Sequence, residues 1–151
     1  VRALAQPGDP VILESPTYPG TIAAAYAAAL RPVPVPLDGE GMRPDYLDEA
    51  LTRTRARVIV VQPLFQNPTG ASLSATRQDE IRAISRRHGA FVVEDDFARH
   101  LTHADAVPVP PPMIADTRMA GSCTSSIPCS FPRRYSSRRW RWWPPPDGGV
   151  L

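Results

Sequence analysis

A chain of 151 residues, 42% of them hydrophobic, holds enough material for one domain with a real core. Its longest apolar-looking stretch, TIAAAYAAALRPVPVPL from Thr21, is broken by Arg31 and three prolines and falls far short of the roughly 20 apolar residues of a membrane span. All 17 basic side chains are arginine, which excludes any mechanism needing a lysine amine from this chain. The formal charge of +2 divides into −2 over residues 1 to 120 and +4 over residues 121 to 151, so the basic balance does not mark the body as a nucleic-acid binder. No secretory signal opens the chain, and Val1 stands where an initiator Met would. A cytoplasmic chain taken from inside a longer one is the expectation.

The first element in chain order is a buried strand, PVILE (Pro10 to Glu14), entered through the Gly8-Asp9-Pro10 turn. Ser15 to Gly20 breaks it, and the Ala-rich run that follows predicts a helix from about Thr21 to Leu30, ended by the restriction Pro32 places on Arg31. Val33, Val35 and Leu37 alternate with prolines, which cannot donate to a central ladder, so an edge-like extended segment is expected. After a turn at Asp38 to Gly41, Pro44 to Leu51 predicts a second helix, with Leu47 and Leu51 one turn apart.

RVIVVQP (Arg57 to Pro63) is the strongest strand signal, a continuous β-branched run of the kind buried on both faces of a parallel sheet. Ser74 caps a third helix in which Ile81, Ile84 and His88 share a face and Gly89 supplies the stop. FVVED (Phe91 to Asp95) is a fourth strand. Strands alternating with helices imply crossover units, an α/β class and a mostly parallel sheet, whose sites lie beyond the carboxyl ends of the strands.

Tyr18, Asn67 and Asp95 each fall beyond such an end. A carboxylate can keep a ring nitrogen protonated, an Asn amide can donate to a ring oxygen, and an aromatic side chain can stack on the face of a flat heteroaromatic cofactor. The same residues equally serve local structure: Asn67 as an Asx turn before Pro68, Asp95 and Asp96 as caps. Spacing leaves both readings open.

The set PTYPG (16 to 20), D-GEGM (38 to 42), QNPTG (66 to 70) and HGAFVVEDDFARHL (88 to 101) resembles the large domain of fold-type I pyridoxal-phosphate enzymes of the class I/II aminotransferase family. It is most similar to the branch fused behind a winged-helix DNA-binding domain, the GntR/MocR-type transcriptional regulators. The resemblance covers about residues 1 to 120 and implies a three-layer α/β/α domain and the cofactor pyridoxal 5'-phosphate. It implies that Asn67 bonds the cofactor's phenolic oxygen, that Asp95 pairs with the pyridine nitrogen, with Asp96 the alternative, and that Tyr18 stacks on or beside the ring. In intact relatives it implies an amino acid or 2-oxo acid as substrate or effector, a cofactor site near a homodimer interface, and DNA contact only through an additional N-terminal domain; no membrane partner and no metal are implied.

The chain departs from that pattern in several places. Phe97 stands where the family places a Tyr after the paired Asp, and it has no hydroxyl to offer the phenolic oxygen. The upstream Gly/Ser-rich phosphate-binding turn and the later substrate-carboxylate Arg fall outside the chain. The Schiff-base lysine is absent, so no catalytic residue is assigned.

Residues 121 to 151 form an aberrant tail holding both cysteines, all three tryptophans and five arginines. A shifted reading frame accounts for it. With CGN arginine codons, RWRWWP (139 to 144) read two bases along becomes [Leu/Met/Val]-Ala-[Leu/Met/Val]-Val-Ala, a buried strand pattern; independent clones carrying this frame intact would sink that hypothesis. A zinc site at Cys123 and Cys129 lacks a histidine partner in the tail, whereas Arg and Trp can contact phosphates and bases, and plain disorder is the simplest alternative. His88 reads as a helix-end residue, His100 and His103 as loop residues, and PVPPP (108 to 112) as a stiff connector. Three functions follow: a piece of an aminotransferase-like domain, inactive for want of lysine; the effector-sensing domain of a regulator; or a truncated product without function. An unprotected parallel sheet also predicts poor soluble expression.

Overall fold

The computed structural model describes residues 4–97 together with Pro112 and Met113, all within the unit Val1–Met119. The expectations for His100, His103, residues 108 to 111, both cysteines and the Arg/Trp tail lie outside the described residues. The order is β1 (Pro10–Ser15), α1 (Pro19–Ala27), β2 (Arg31–Asp38), β3 (Gly41–Met42), α2 (Pro44–Thr54), β4 (Val58–Val61), α3 (Ala75–His88) and β5 (Phe91–Glu94). They build one sheet in the order β3-β2-β1-β4-β5. Every pairing is parallel except that of β3 with β2.

Alternation along the strands divides two cores. Ile12, Val33, Val35, Ile59 and Val61 face the layer that holds Leu47 and Leu51 of α2 and Ile81 and Ile84 of α3. Val11, Leu13 and Val58 face Ala25 of α1 and Leu30. Helices on both faces of a mostly parallel sheet make the three-layer α/β/α architecture expected from the sequence.

β2 shows how a proline-rich strand is accommodated. The Arg31 N–H donates to the Asp9 carbonyl on the β1 side, so by the two-residue period Pro32, Pro34 and Pro36 turn their donorless nitrogens to the other side. There only the end of the strand is paired, Leu37 with Met42 and Asp38 with Gly41. The edge-like expectation holds along most of the strand, but the two-residue β3 was missed because GM carries no strand signal of its own.

Two helix bounds also differ from expectation. α1 stops at Ala27 rather than Leu30, because Ala29 takes a left-handed φ of 55° while Leu30 N–H bonds the Ala25 carbonyl and Ala29 N–H that of Tyr26. This Schellman closure, with Leu30 buried alongside Ala25, ends the helix before Pro32 acts. α2 runs on to Thr54 and closes on left-handed Arg55, whose N–H bonds the Leu51 carbonyl at 2.8 Å. Thr52 and Arg53 are exposed, so no apolar position marked that last turn. α3 matches expectation, with Ser74 Oγ accepting from the Arg77 N–H at 3.2 Å and Gly89 left-handed at the stop. Among the described residues no helix is long and apolar enough to cross a membrane.

Candidate functional site

Three adjacent parallel strands, β1, β4 and β5, release the chain at the same edge of the sheet. Strands spaced nearly 5 Å apart set these exits across about 10 Å, the width of one substituted aromatic ring. Tyr18 follows β1, Gln62 and Asn67 follow β4, and Asp95 and Phe97 follow β5. All five line one pocket. The structure therefore brings together Tyr18, Asn67 and Asp95. Asp96, the alternative to Asp95, is not among the residues lining it.

Each wall is fixed by a separate device. The Asp95 N–H bonds the Val61 carbonyl at 2.8 Å, carrying the β4–β5 ladder one residue past the strand. The Asn67 N–H donates to Gln62 Oε1 at 2.9 Å. Residues 62 to 73 form a closed excursion: Leu73 N–H bonds the Pro63 carbonyl at 2.9 Å, Gln66 N–H that of Ala71 at 2.8 Å, and Gly70, at a φ of 74° that favours glycine, donates to the Gln66 carbonyl. The Ser15-Pro16 and Asn67-Pro68 peptide bonds are both cis. Tyr18 stands just before α1, with Pro19 in its first turn, and half of the residue is exposed. Gly20 leaves room for its ring, since a Cβ there would collide with Tyr18 Cε1.

Beneath the pocket lies a buried polar cluster that the sequence reading missed. Gln66 is 1% exposed, and its amide makes four hydrogen bonds: Nε2 to Glu14 Oε2 (3.3 Å) and to the Pro16 carbonyl (2.9 Å), Oε1 from Thr69 N–H (3.2 Å) and Thr69 Oγ1 (2.7 Å). Glu14 is 4% exposed, and burial pushes its carboxyl up to about 7. The Gln62 N–H and the Gln66 amide pull against that rise, and the negative charge of Asp95 adds to it. Glu14 Oε1 and Gln62 Nε2 are both buried without a hydrogen-bond partner. A Glu inside PVILE and a Gln just ahead of NPTG were the available signals.

The donor set fits the ring of a pyridoxal-type cofactor: a carboxylate, an amide and an aromatic face converge in one concavity about a ring wide. Phe97 lines the same pocket and contributes a surface without a hydroxyl. Among the described residues no His/Cys/Asp/Glu cluster suits a metal ion. His88, the last residue of α3, lies away from the pocket and shares Asp48 with Arg87, its Nε2 2.6 Å from Oδ1.

Residues 1–118 match the sequence model of the family described as aminotransferase class I and II. Aminotransferase tdiD of Emericella nidulans is 34% identical over 110 residues, covering 70% of this chain and 25% of its own. The vitamin B6 salvage pathway transcriptional repressor PtsJ of Salmonella typhimurium is 38% identical over 94 residues, 61% of this chain and 22% of its own. The crystal structure of LysN, the alpha-aminoadipate aminotransferase of Thermus thermophilus, complexed with N-(5'-phosphopyridoxyl)-L-leucine, aligns with a TM-score of 0.69 at 34% identity over 80% of this chain and 30% of that one. The chain spans about a quarter of the length of the curated relatives it matches.

Proposed function

This chain belongs to the class I and II aminotransferase family, which depends on pyridoxal phosphate, and on that premise we propose that it is a piece of the cofactor-binding lobe, able to hold the ring of the cofactor but not to turn over. The observation that carries the reading is the convergence of Tyr18, Asn67 and Asp95 on one pocket. Asp95 would hold a proton on the ring nitrogen, the Asn67 amide would donate to the phenolic oxygen, and Tyr18 would cover one face of the ring. Phe97 packs without donating, leaving Asn67 as the partner of the phenolic oxygen. Bound pyridoxal phosphate supplies an electron sink for the α-carbon of an amino acid. Amino-group transfer also needs a lysine amine to attach the cofactor and move a proton, and this chain has none.

Intact relatives would transfer an amino group between an amino acid and a 2-oxo acid as cytoplasmic homodimers. The second reading, an effector-sensing domain of a GntR/MocR-type regulator, rests on the similarity to PtsJ. In it DNA is bound by a separate domain, and a winged-helix coding segment upstream of Val1 would favour it over the enzyme. The third, a product without function, is separated from both by binding. The deciding experiment titrates pyridoxal 5'-phosphate into the 151-residue chain and its Asn67→Ala and Asp95→Asn variants by absorbance, and assays amino-group transfer alongside. Expected are reversible binding that dialysis removes, about tenfold weaker in each variant, and no turnover. Binding that neither variant alters, or measurable transfer, overturns the proposal.

A further inference from the structure

Among the described residues, the polar cluster beneath the pocket holds a buried ionisable group of the sheet, Glu14, to which the cofactor reading gives no task. Glu14 is the last but one residue of β1, on the face shared with Ile12 and opposite Val35 of β2. One of its oxygens accepts from Gln66, which also holds the Pro16 carbonyl and Thr69. The other has no partner, and neither does the nearby buried amide nitrogen of Gln62, whose oxygen fixes the Asn67 N–H. Through Gln66 and Gln62 the Glu14 carboxyl thus underlies the loop that carries Tyr18 and the turn that carries Asn67. The β4 extension offers it only neutral amides, β2 offers Val35, and Asp95 beyond β5 is the charged group that acts on it.

We propose that Glu14 is a positioning residue for this pocket: as a neutral acid it holds the Gln66 amide that ties the loop carrying Tyr18 to the turn carrying Asn67. A buried carboxylate with one oxygen unpartnered is costly, whereas the neutral acid satisfies Gln66 equally well and offers a donor. Asp95 disfavours a second negative charge beside it. The positioning role rests on the cofactor reading; the neutral acid does not.

The test needs no ligand. In the full chain labelled with 13C at glutamate carboxyls, the Glu14 signal is identified by its loss in Glu14→Gln and titrated in wild type. The expected midpoint is about 7, and a midpoint in the ordinary glutamate range overturns the proposal. Denaturant midpoints of wild type and Glu14→Gln across pH 4.5 to 7 are a second readout: equal pH dependence in the two chains overturns it as well. For the positioning role, Glu14→Gln is expected to keep wild-type affinity for pyridoxal 5'-phosphate, with its pH dependence near 7 lost, while Glu14→Ala weakens it about tenfold. Loss in both variants alike overturns the neutral-acid role. The cofactor reading fails separately, if Asn67→Ala and Asp95→Asn bind as wild type does.

Discussion

Gln66 donates its amide nitrogen to the Pro16 carbonyl at 2.9 Å, tying the turn after β4 to the loop after β1 across fifty residues of sequence. The same amide accepts from Thr69, so its donors and acceptors are all engaged inside the protein. Gln66→Leu keeps the bulk but takes the donor from the buried Glu14 Oε2 and unties the half-buried Pro16 carbonyl and Thr69 from each other. The expected loss is about 3 kcal/mol, read as a lower urea midpoint at unchanged slope.

Glu14 gives stability an unusual pH dependence. Its carboxyl rises from the ordinary 4.5 to about 7 in the folded chain, so between those values the folded state holds a proton that the unfolded state has released. The stabilisation is complete below about 4.5, declines as pH climbs, and is gone above about 7; the shift corresponds to roughly 3 kcal/mol. Urea midpoints across this window should fall more steeply in wild type than in Glu14→Gln, which has no proton to lose. Asp38 and Asp48, both held below the usual carboxylate range by arginine partners, act in the opposite sense only at lower pH.

The elements and the pocket were unequally legible. Val58, Ile59 and Val61 announced their strand because burial on both faces demands an unbroken apolar run, and Ser74 and Gly89 bounded α3 because their chemistry acts locally. Tyr18, Asn67 and Asp95 were found as positions beyond strand ends, and resemblance rather than spacing joined them. What stayed hidden depends on contacts distant in sequence. Nothing in PVILE says that Glu14 meets Gln66, and nothing in α3 says that Arg77 is 8% exposed, since both facts arise only once the sheet is assembled. The left-handed Ala29 was equally unreadable, because alanine gives no sign of a helix stop.

Arg77 is the fastener of the β2–β3 hairpin. Its guanidinium meets Asp38 with two bonds (2.9 and 3.1 Å), reaches Glu40 and Glu80 at 3.2 Å, and donates to the Met42 carbonyl at 3.1 Å. A lysine cannot reproduce that fork. Arg77→Lys should cost about 1 kcal/mol and Arg77→Ala about 2, because the carboxylates are exposed enough to regain water while the Met42 carbonyl is not. Amide exchange at β3 should quicken before the rest of the sheet is affected, and equal protection of β3 in wild type and variant would refute the fastener role.

Two glycines separate the fold from the pocket. Gly41 sits at a φ of 96°, and a Cβ there would run into Leu73 Cδ2, which is 2% exposed in the core. Gly41→Ala therefore meets both backbone strain and a leucine side chain packed in the core, and should lower stability by about 2 kcal/mol or more. Gly20 carries no such strain, and the atoms in the way belong to the Tyr18 ring, half exposed and free to turn aside. In the first turn of α1, alanine is also the better helix former. Gly20→Ala should accordingly leave the melting temperature unchanged or slightly raised, yet displace Tyr18 from the pocket and weaken binding of pyridoxal 5'-phosphate about fivefold. Parallel melting and titration of the two variants check this. If Gly20→Ala binds as tightly as wild type while Tyr18→Ala does not, the glycine is not what seats the ring; if neither loses affinity, Tyr18 is not a wall of the binding site.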